Sequence, residues 1–412
     1  MSFSLIITII IFILISIRQW LPSWLRIWHI MSMGAIAILL MGEVSFKSAF
    51  TGVDWNVIAY LFGVFSIAAA LYDSGISDRM CDYLNKHHPS ISISLLFLMV
   101  FSGITAAVLT NDAAAVIGTP IALTLARLLK IRPTLLLIAL CTSVTIGSML
   151  TPVGNPQNIL IAAKGHITNP MSSFALWLIV PTVFSMLFAF FWLLYVQKKW
   201  GSPCQEHADL PKPNHGSTWP AYLSVGMLII MILGDSILIS INPNYHLPIG
   251  VIALIACLPV YCFNRHRKTV LKEVDWPTLI FFVAMFIVTG AVLASGDLQT
   301  WLGPKINELD HPPLLTMISF WGSQLFSNVP LIEIYLQLLT QQSLPTMMLL
   351  SATSTLAGNL FIISAASNVI VVQQAEKFNV KPFSFWEFAL TLLPITIVSL
   401  IFSYIWIVFV MS

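Results

Sequence analysis

The chain has 412 residues, 58% of them hydrophobic and only 9% charged, with a net charge of +2 at pH 7 and a mean hydropathy of +0.88. Soluble domains carry about 25% charged residues, so this chain lacks the polar surface to cover a water-soluble globule. That excludes a soluble enzyme and points to an all-α polytopic membrane protein. No basic patch with interleaved aromatics suggests nucleic acid, so the expected partners are the lipid bilayer and a small solute.

Ten apolar segments follow one another, near 3–17, 27–41, 55–72, 133–163, 174–196, 220–240, 247–263, 277–294, 346–376 and 384–410. The first has neither a basic flank nor a small-residue cleavage site and reads as a span rather than a signal peptide. Segments 133–163 and 346–376 are too long for one straight span of ~20 residues, and each contains a polar break. The first break is Thr151-Pro152-Val153-Gly154-Asn155-Pro156-Gln157-Asn158. Its two prolines lack a backbone N–H and clash with the preceding turn, so a continuous helix is not expected there. At bilayer depth such breaks persist only where protein or a water-filled cavity satisfies the freed groups.

Two further stretches, 91–127 and 313–340, read as helix, polar tip, helix. The shorter arm of the second hairpin (329–339) reaches roughly 17 Å at ~1.5 Å per residue, against ~30 Å of hydrocarbon. A re-entrant hairpin fits it better than two spans. The first hairpin is less clear, because Ile91–Leu109 nearly crosses by length.

With the amino terminus outside, sixteen of the 19 lysines and arginines fall in cytoplasmic loops. Only Lys47, Lys164 and Lys305 fall outside, the asymmetry that the positive-inside rule requires. A polar linker, 197–219, divides a first repeat (1–196, hairpin 91–127, broken helix 133–163) from a second (220–412, hairpin 313–340, broken helix 346–376). Val53-Asp54-Trp55 recurs as Val274-Asp275-Trp276, and Thr110-Asn111 pairs with Ser327-Asn328. Gly147…Asn158 likewise pairs with Gly358…Asn368. Five spans per half is odd, so the second half is expected to be inverted, with the first hairpin entering from the cytoplasm and the second from outside.

The candidate site residues lie at the tips and breaks: Thr110, Asn111 and Asp112; Gly154, Asn155 and Asn158; Ser327 and Asn328; Asn359, Ser367 and Asn368. Amide and hydroxyl oxygens there suit a hard cation, while amide N–H groups and half-helix N-termini suit an anion. Capping and tight packing of small residues are the plain alternatives. Asp112 has no acidic counterpart, since Val329 stands at the matching position. An acid at membrane depth is costly unless paired, which makes it a candidate for proton or cation coupling; its plain role is a helix cap. Glu333 is the second candidate carboxylate, and Asp235 reads as interfacial.

The five cysteines have no metal-type spacing, and no cofactor is expected beyond a coupling Na⁺ or H⁺. Histidines 87, 88, 246 and 266 are expected in solvated loops, and Ser77–His88 reads as a cytoplasmic amphipathic helix.

These motifs resemble the ion transporter superfamily of divalent-anion/sodium symporters, arsenite permeases and related sodium/proton antiporters. The matching pieces are Leu109-Thr110-Asn111-Asp112-Ala113, Gly154-Asn155-Pro156-Gln157-Asn158, Ser327-Asn328-Val329-Pro330 and Ala357-Gly358-Asn359…Ser367-Asn368. The Asn-Asp tip looks most like anion permeases of the arsenite-permease type. The symporters carry Ser-Asn-Thr at both tips, and this chain does not. The resemblance implies an elevator-like motion and a homodimer. The reading from sequence is an ion-coupled secondary transporter for a small anion in the cytoplasmic membrane. Arsenite or antimonite efflux, or sodium/proton antiport, is the alternative, and a non-transporting membrane sensor or scaffold is the rival from another class.

Overall fold

The computed structural model describes residues 2–17, 22, 25–87, 90–200, 218–242, 245, 247–297, 300, 308–326, 328–339 and 342–411. Among them the regular elements are all helices. The first half holds α1 (Phe3–Ser16), α2 (Ile27–Leu40), α3 (Phe46–Gly52), α4 (Trp55–Asp73), α5 (Ile76–His87), α6 (Ile91–Val108), α7 (Asn111–Leu129), α8 (Thr134–Ser148), α9 (Pro156–Lys164) and α10 (Pro170–Trp200). The second holds α11 (Thr218–Ile241), α12 (Ile249–Phe263), α13 (Arg267–Glu273), α14 (Trp276–Ser295), α15 (Pro312–Phe326), α16 (Asn328–Leu338), α17 (Leu344–Ala357), α18 (Ala366–Lys377) and α19 (Phe385–Ile405). Most of the predicted linker lies outside the described residues.

Among the described residues, seven helices are long and apolar enough to cross a membrane: α4, α6, α7, α10, α11, α14 and α19. Both arms of the first hairpin are among them. The second hairpin is shorter, with 15 residues in α15 and 11 in α16. Both predicted breaks are present. One separates α8 from α9, and the other separates α17 from α18 with a 3-10 turn at Ile362–Ser364 between them.

α8 and α17 sit at the centre. They are buried on all faces from Leu136 to Ser148 and from Met347 to Ala357, as expected of helices that are apolar all round. Each takes one hairpin arm alongside, α6 on α8 and α15 on α17. Both crossings carry a hydroxyl pair: Ser102 Oγ to Ser143 Oγ and Ser319 Oγ to Thr353 Oγ1, each 2.6 Å. The α6–α8 crossing is tight because glycine faces glycine. A Cβ on Gly147 would stand 2.5 Å from the Gly103 Cα and 2.4 Å from its carbonyl oxygen. Gly147→Ala is therefore expected to force the helices apart and cost about 1–3 kcal/mol, read as a lower Tm in detergent. The remaining spans wrap this centre, with α4 on α12 and α2 on α14.

The expected amphipathic helix is present as α5, and its buried face is fastened along α7: Ser77 Oγ donates to the Ile117 carbonyl (2.9 Å) and Cys81 Sγ to Thr124 Oγ1 (3.0 Å). The His266 side chain is solvent-exposed in a turn, as expected, and its Nδ1 also lies 3.2 Å from Asp73 Oδ2 at the end of α4. His88 and His246 lie outside the described residues.

Candidate functional site

At the first break, Pro156 opens α9 and Asn155 caps it, its Oδ1 accepting from the Asn158 N–H (2.8 Å). Gly154 is required by close approach, since a Cβ there would stand 2.2 Å from the Ser148 carbonyl oxygen. Asn158 Nδ2 donates to the Ser148 (3.2 Å) and Thr151 (3.1 Å) carbonyls, and its Oδ1 accepts from Ser351 Oγ of α17 (2.8 Å). Asn155 Nδ2 donates to Ser148 Oγ and to Thr355 Oγ1 of α17, both at 3.1 Å. The amides of Asn155 and Asn158 are thus spent on structure, joining the first break to the second half.

The first tip docks on this break through the Asn111 N–H, which donates to the Gly154 carbonyl (2.8 Å). Thr110, not Asp112, caps α7: its Oγ1 accepts from the Ala113 N–H (3.2 Å). Asp112 stands in the first turn, 6% exposed, and its Oδ1 is buried without a hydrogen-bond partner. It lines a cavity of about 420 Å³ with Phe65, Val116, Glu273, Asp275 and Lys377. This cavity lies at the end that the positive-inside expectation assigns to the cytoplasm. In the short helix α13 outside the spans, burial and the charge of Asp73 hold the Glu273 carboxyl above the usual range, while Lys377 pulls it down. A second cavity, about 350 Å³, lies at the other end of the helices and reaches Pro152, Val153 and Asp235, but none of the predicted site residues.

The second break repeats one bond of the first. Asn368 Nδ2 donates to the Gly358 carbonyl (2.8 Å), as Asn158 does to Ser148. Beyond that the halves differ. Asn359 is fully buried with both amide atoms unpartnered, and so are Ser367 Oγ, Asn368 Oδ1 and Asn328 Oδ1. Gln324 of α15 holds the hairpin on the break, donating to the Ala357 carbonyl (2.8 Å) and accepting from Ser364 Oγ. Ser327 lies outside the described residues.

Glu333 is 1% exposed and ion-paired to Lys164, the last residue of α9. Its Oε1 also accepts from Gln337 Nε2 (2.7 Å). Sequence reasoning placed Lys164 in an outer loop and missed this pairing, along with Ser351, Thr355 and Gln324. The only signal for the first two was their spacing of four on α17, which puts them on one face. In sum, tip, break, α17, second break and second hairpin form one hydrogen-bonded chain. α7 lies along α18 and α16 along α9, so each hairpin arm packs on the returning helix of the opposite half.

Residues 7–334 match the family model described as citrate transporter. The chain belongs to the citrate transporter family. Curated relatives of this family member include an uncharacterized transporter of Mycobacterium tuberculosis, 26% identical with 88% of each chain covered. The inner membrane protein YbiR of Escherichia coli is 26% identical over 87% of this chain and 89% of its own. The silicon efflux transporter LSI3 of Oryza sativa is 24% identical, with 89% of each covered. Among solved structures, the YdaH transporter of Alcanivorax borkumensis superposes with a TM-score of 0.55 at 14% identity, covering 98% of this chain and 96% of that one. The citrate transporter family member is thus an integral, multi-pass membrane protein with a transporter fold.

Proposed function

We propose that this protein is a cation-coupled secondary transporter of a small anion in the cytoplasmic membrane, working by alternating access between the two tips and the two breaks. The observation that carries the reading is Asp112, a buried hairpin-tip carboxylate with an unpartnered oxygen that lines a cavity at the cytoplasmic end. An unpaired ionised carboxylate at that depth is costly, so it holds a proton or a cation. The unpartnered oxygens of Asn328, Asn359, Ser367 and Asn368 suit a second hard cation or hydroxyl groups of the solute. Four helices begin at the tips and breaks, at Asn111, Pro156, Asn328 and Ala366, and their positive ends favour negative charge. The name of the family points to a carboxylate, and the inverted-repeat reading supplies the two faces of access.

A second reading is efflux of a neutral hydroxylated acid, and it is favoured by the preponderance of acceptors among the unpartnered atoms at the second tip and break. Such a solute donates hydrogen bonds and needs no fixed positive charge. The relative named for silicon efflux is in keeping with it.

Purified protein in proteoliposomes separates these readings. Under imposed Na⁺ or H⁺ gradients, flux of di- or tricarboxylates supports the first, and flux of undissociated oxyacids such as arsenous or silicic acid supports the second. Gradient-independent silence across both classes overturns transport and favours a sensor or scaffold.

A further inference from the structure

The ion pair of Glu333 has no counterpart at the matching positions of the other half. Lys164 ends α9 and reaches two elements at once, pairing with Glu333 of α16 and standing over the Phe286 ring of α14, 4.8 Å from its centroid. Three elements, the first returning helix, the outer hairpin arm and α14, are joined at one ammonium group. The matching segments of the two halves carry each partner onto a counterpart. Val53-Asp54-Trp55 against Val274-Asp275-Trp276 sets Phe286 against Phe65, and Asn111 against Asn328 sets Glu333 against Val116. Asn158 against Asn368 sets Lys164 against Gln374. Phe65, Val116 and Gln374 all line the 420 Å³ cytoplasmic cavity. At one end, then, these positions are packed shut around an ion pair. At the other, where valine replaces the glutamate and glutamine the lysine, they stand around open space.

We propose that Lys164, Glu333 and Phe286 form the outer seal of the transport site, and that opening this seal creates the outer counterpart of the cytoplasmic cavity. Glu333 and Lys164 are positioning residues here: they hold α16 against α9 and α14 and touch no solute. Gln337 supports the seal by donating to the same Glu333 oxygen. Val116 leaves the cytoplasmic end without an equivalent lock, which accounts for the cavity being found there. The seal presupposes the alternating access proposed above, so its test reads accessibility rather than flux.

The test is a single cysteine at Thr289, the counterpart of cavity-lining Ala68, buried beside Phe286 on the same face of α14. In a background with the five native cysteines replaced, a membrane-impermeant maleimide is applied from either face of oriented vesicles. Thr289→Cys alone labels slowly from outside. Adding Lys164→Met or Glu333→Gln accelerates outside labelling by roughly tenfold or more, the scale of a population shift when a buried pair is lost. The exchange Lys164→Glu with Glu333→Lys restores slow labelling, which a generally loosened protein does not do. Phe286→Leu gives an independent reading if a charge variant fails to fold. Gradient-driven flux of the same variants is measured in parallel, so loss of coupling and loss of the seal are told apart. Unchanged labelling in monodisperse single variants, acceleration from the cytoplasmic face alone, or no recovery in the exchange overturns the proposal.

Discussion

Asp112→Asn is expected to fold, insert and migrate as a monodisperse species, yet lose gradient-driven flux by roughly a hundredfold or more, the scale on which removing one charge from a buried site acts. The substitution keeps size and one oxygen while abolishing the exchangeable charge. A purely structural role is already constrained, because the helix cap belongs to Thr110, whose Oγ1 accepts from the Ala113 N–H. The Asp112 carboxylate has one oxygen with no partner to lose. Thr110→Ala is the control: removing the cap costs about 1 kcal/mol of stability and leaves coupling intact. Flux under Na⁺ and H⁺ gradients, measured beside thermal melting, separates the two. Wild-type coupling in a well-expressed Asp112→Asn protein would falsify the assignment of the coupling site.

The second large contrast lies between two asparagines that the sequence presents as similar. Asn158→Ala removes two donations, to Ser148 and Thr151, and two acceptances, from Ser351 and Thr355. Each buried partner left unsatisfied costs about 1–3 kcal/mol, so the expected result is a large fall in Tm, with transport lost through instability. Asn359→Ala removes no hydrogen bond, since neither amide atom has a partner. Its Tm should stay near wild type, or rise, because an unpaired polar group has been taken out of the interior. Solute or coupling-ion affinity should weaken by about tenfold or more, the worth of a hydrogen bond to a charged ligand. Equal destabilisation in the two variants, with unchanged affinity in Asn359→Ala, would place the site elsewhere.

Much of the architecture is legible in the chain because the bilayer constrains it so strongly. Apolar run length sets where helices lie. Pro152 and Pro156 interrupt one run, and the polar stretch around Gly358-Asn359 and Ser364–Ser367 interrupts the other; both breaks are present. The second hairpin was readable as short by counting residues. Spacing could not settle which asparagines are structural. Asn155 and Asn158 are satisfied by Ser351 and Thr355, nearly 200 positions away, and no local pattern announces such a partner.

Composition and periodicity by themselves determine that this is a helical membrane protein, where its breaks and tips lie, and which short list of polar side chains is candidate for a site. These are local properties of chain length, charge and proline chemistry. Only the tertiary structure decides which side chains on that list remain unpartnered, which carboxylate is paired and which is left facing a cavity. Lys164 is the clearest case. In sequence it closes an outer loop, but packing of α16 along α9 brings Glu333 to it and Phe286 beneath it. A buried charge takes its meaning from its neighbours in space, and a sequence carries those only through the fold.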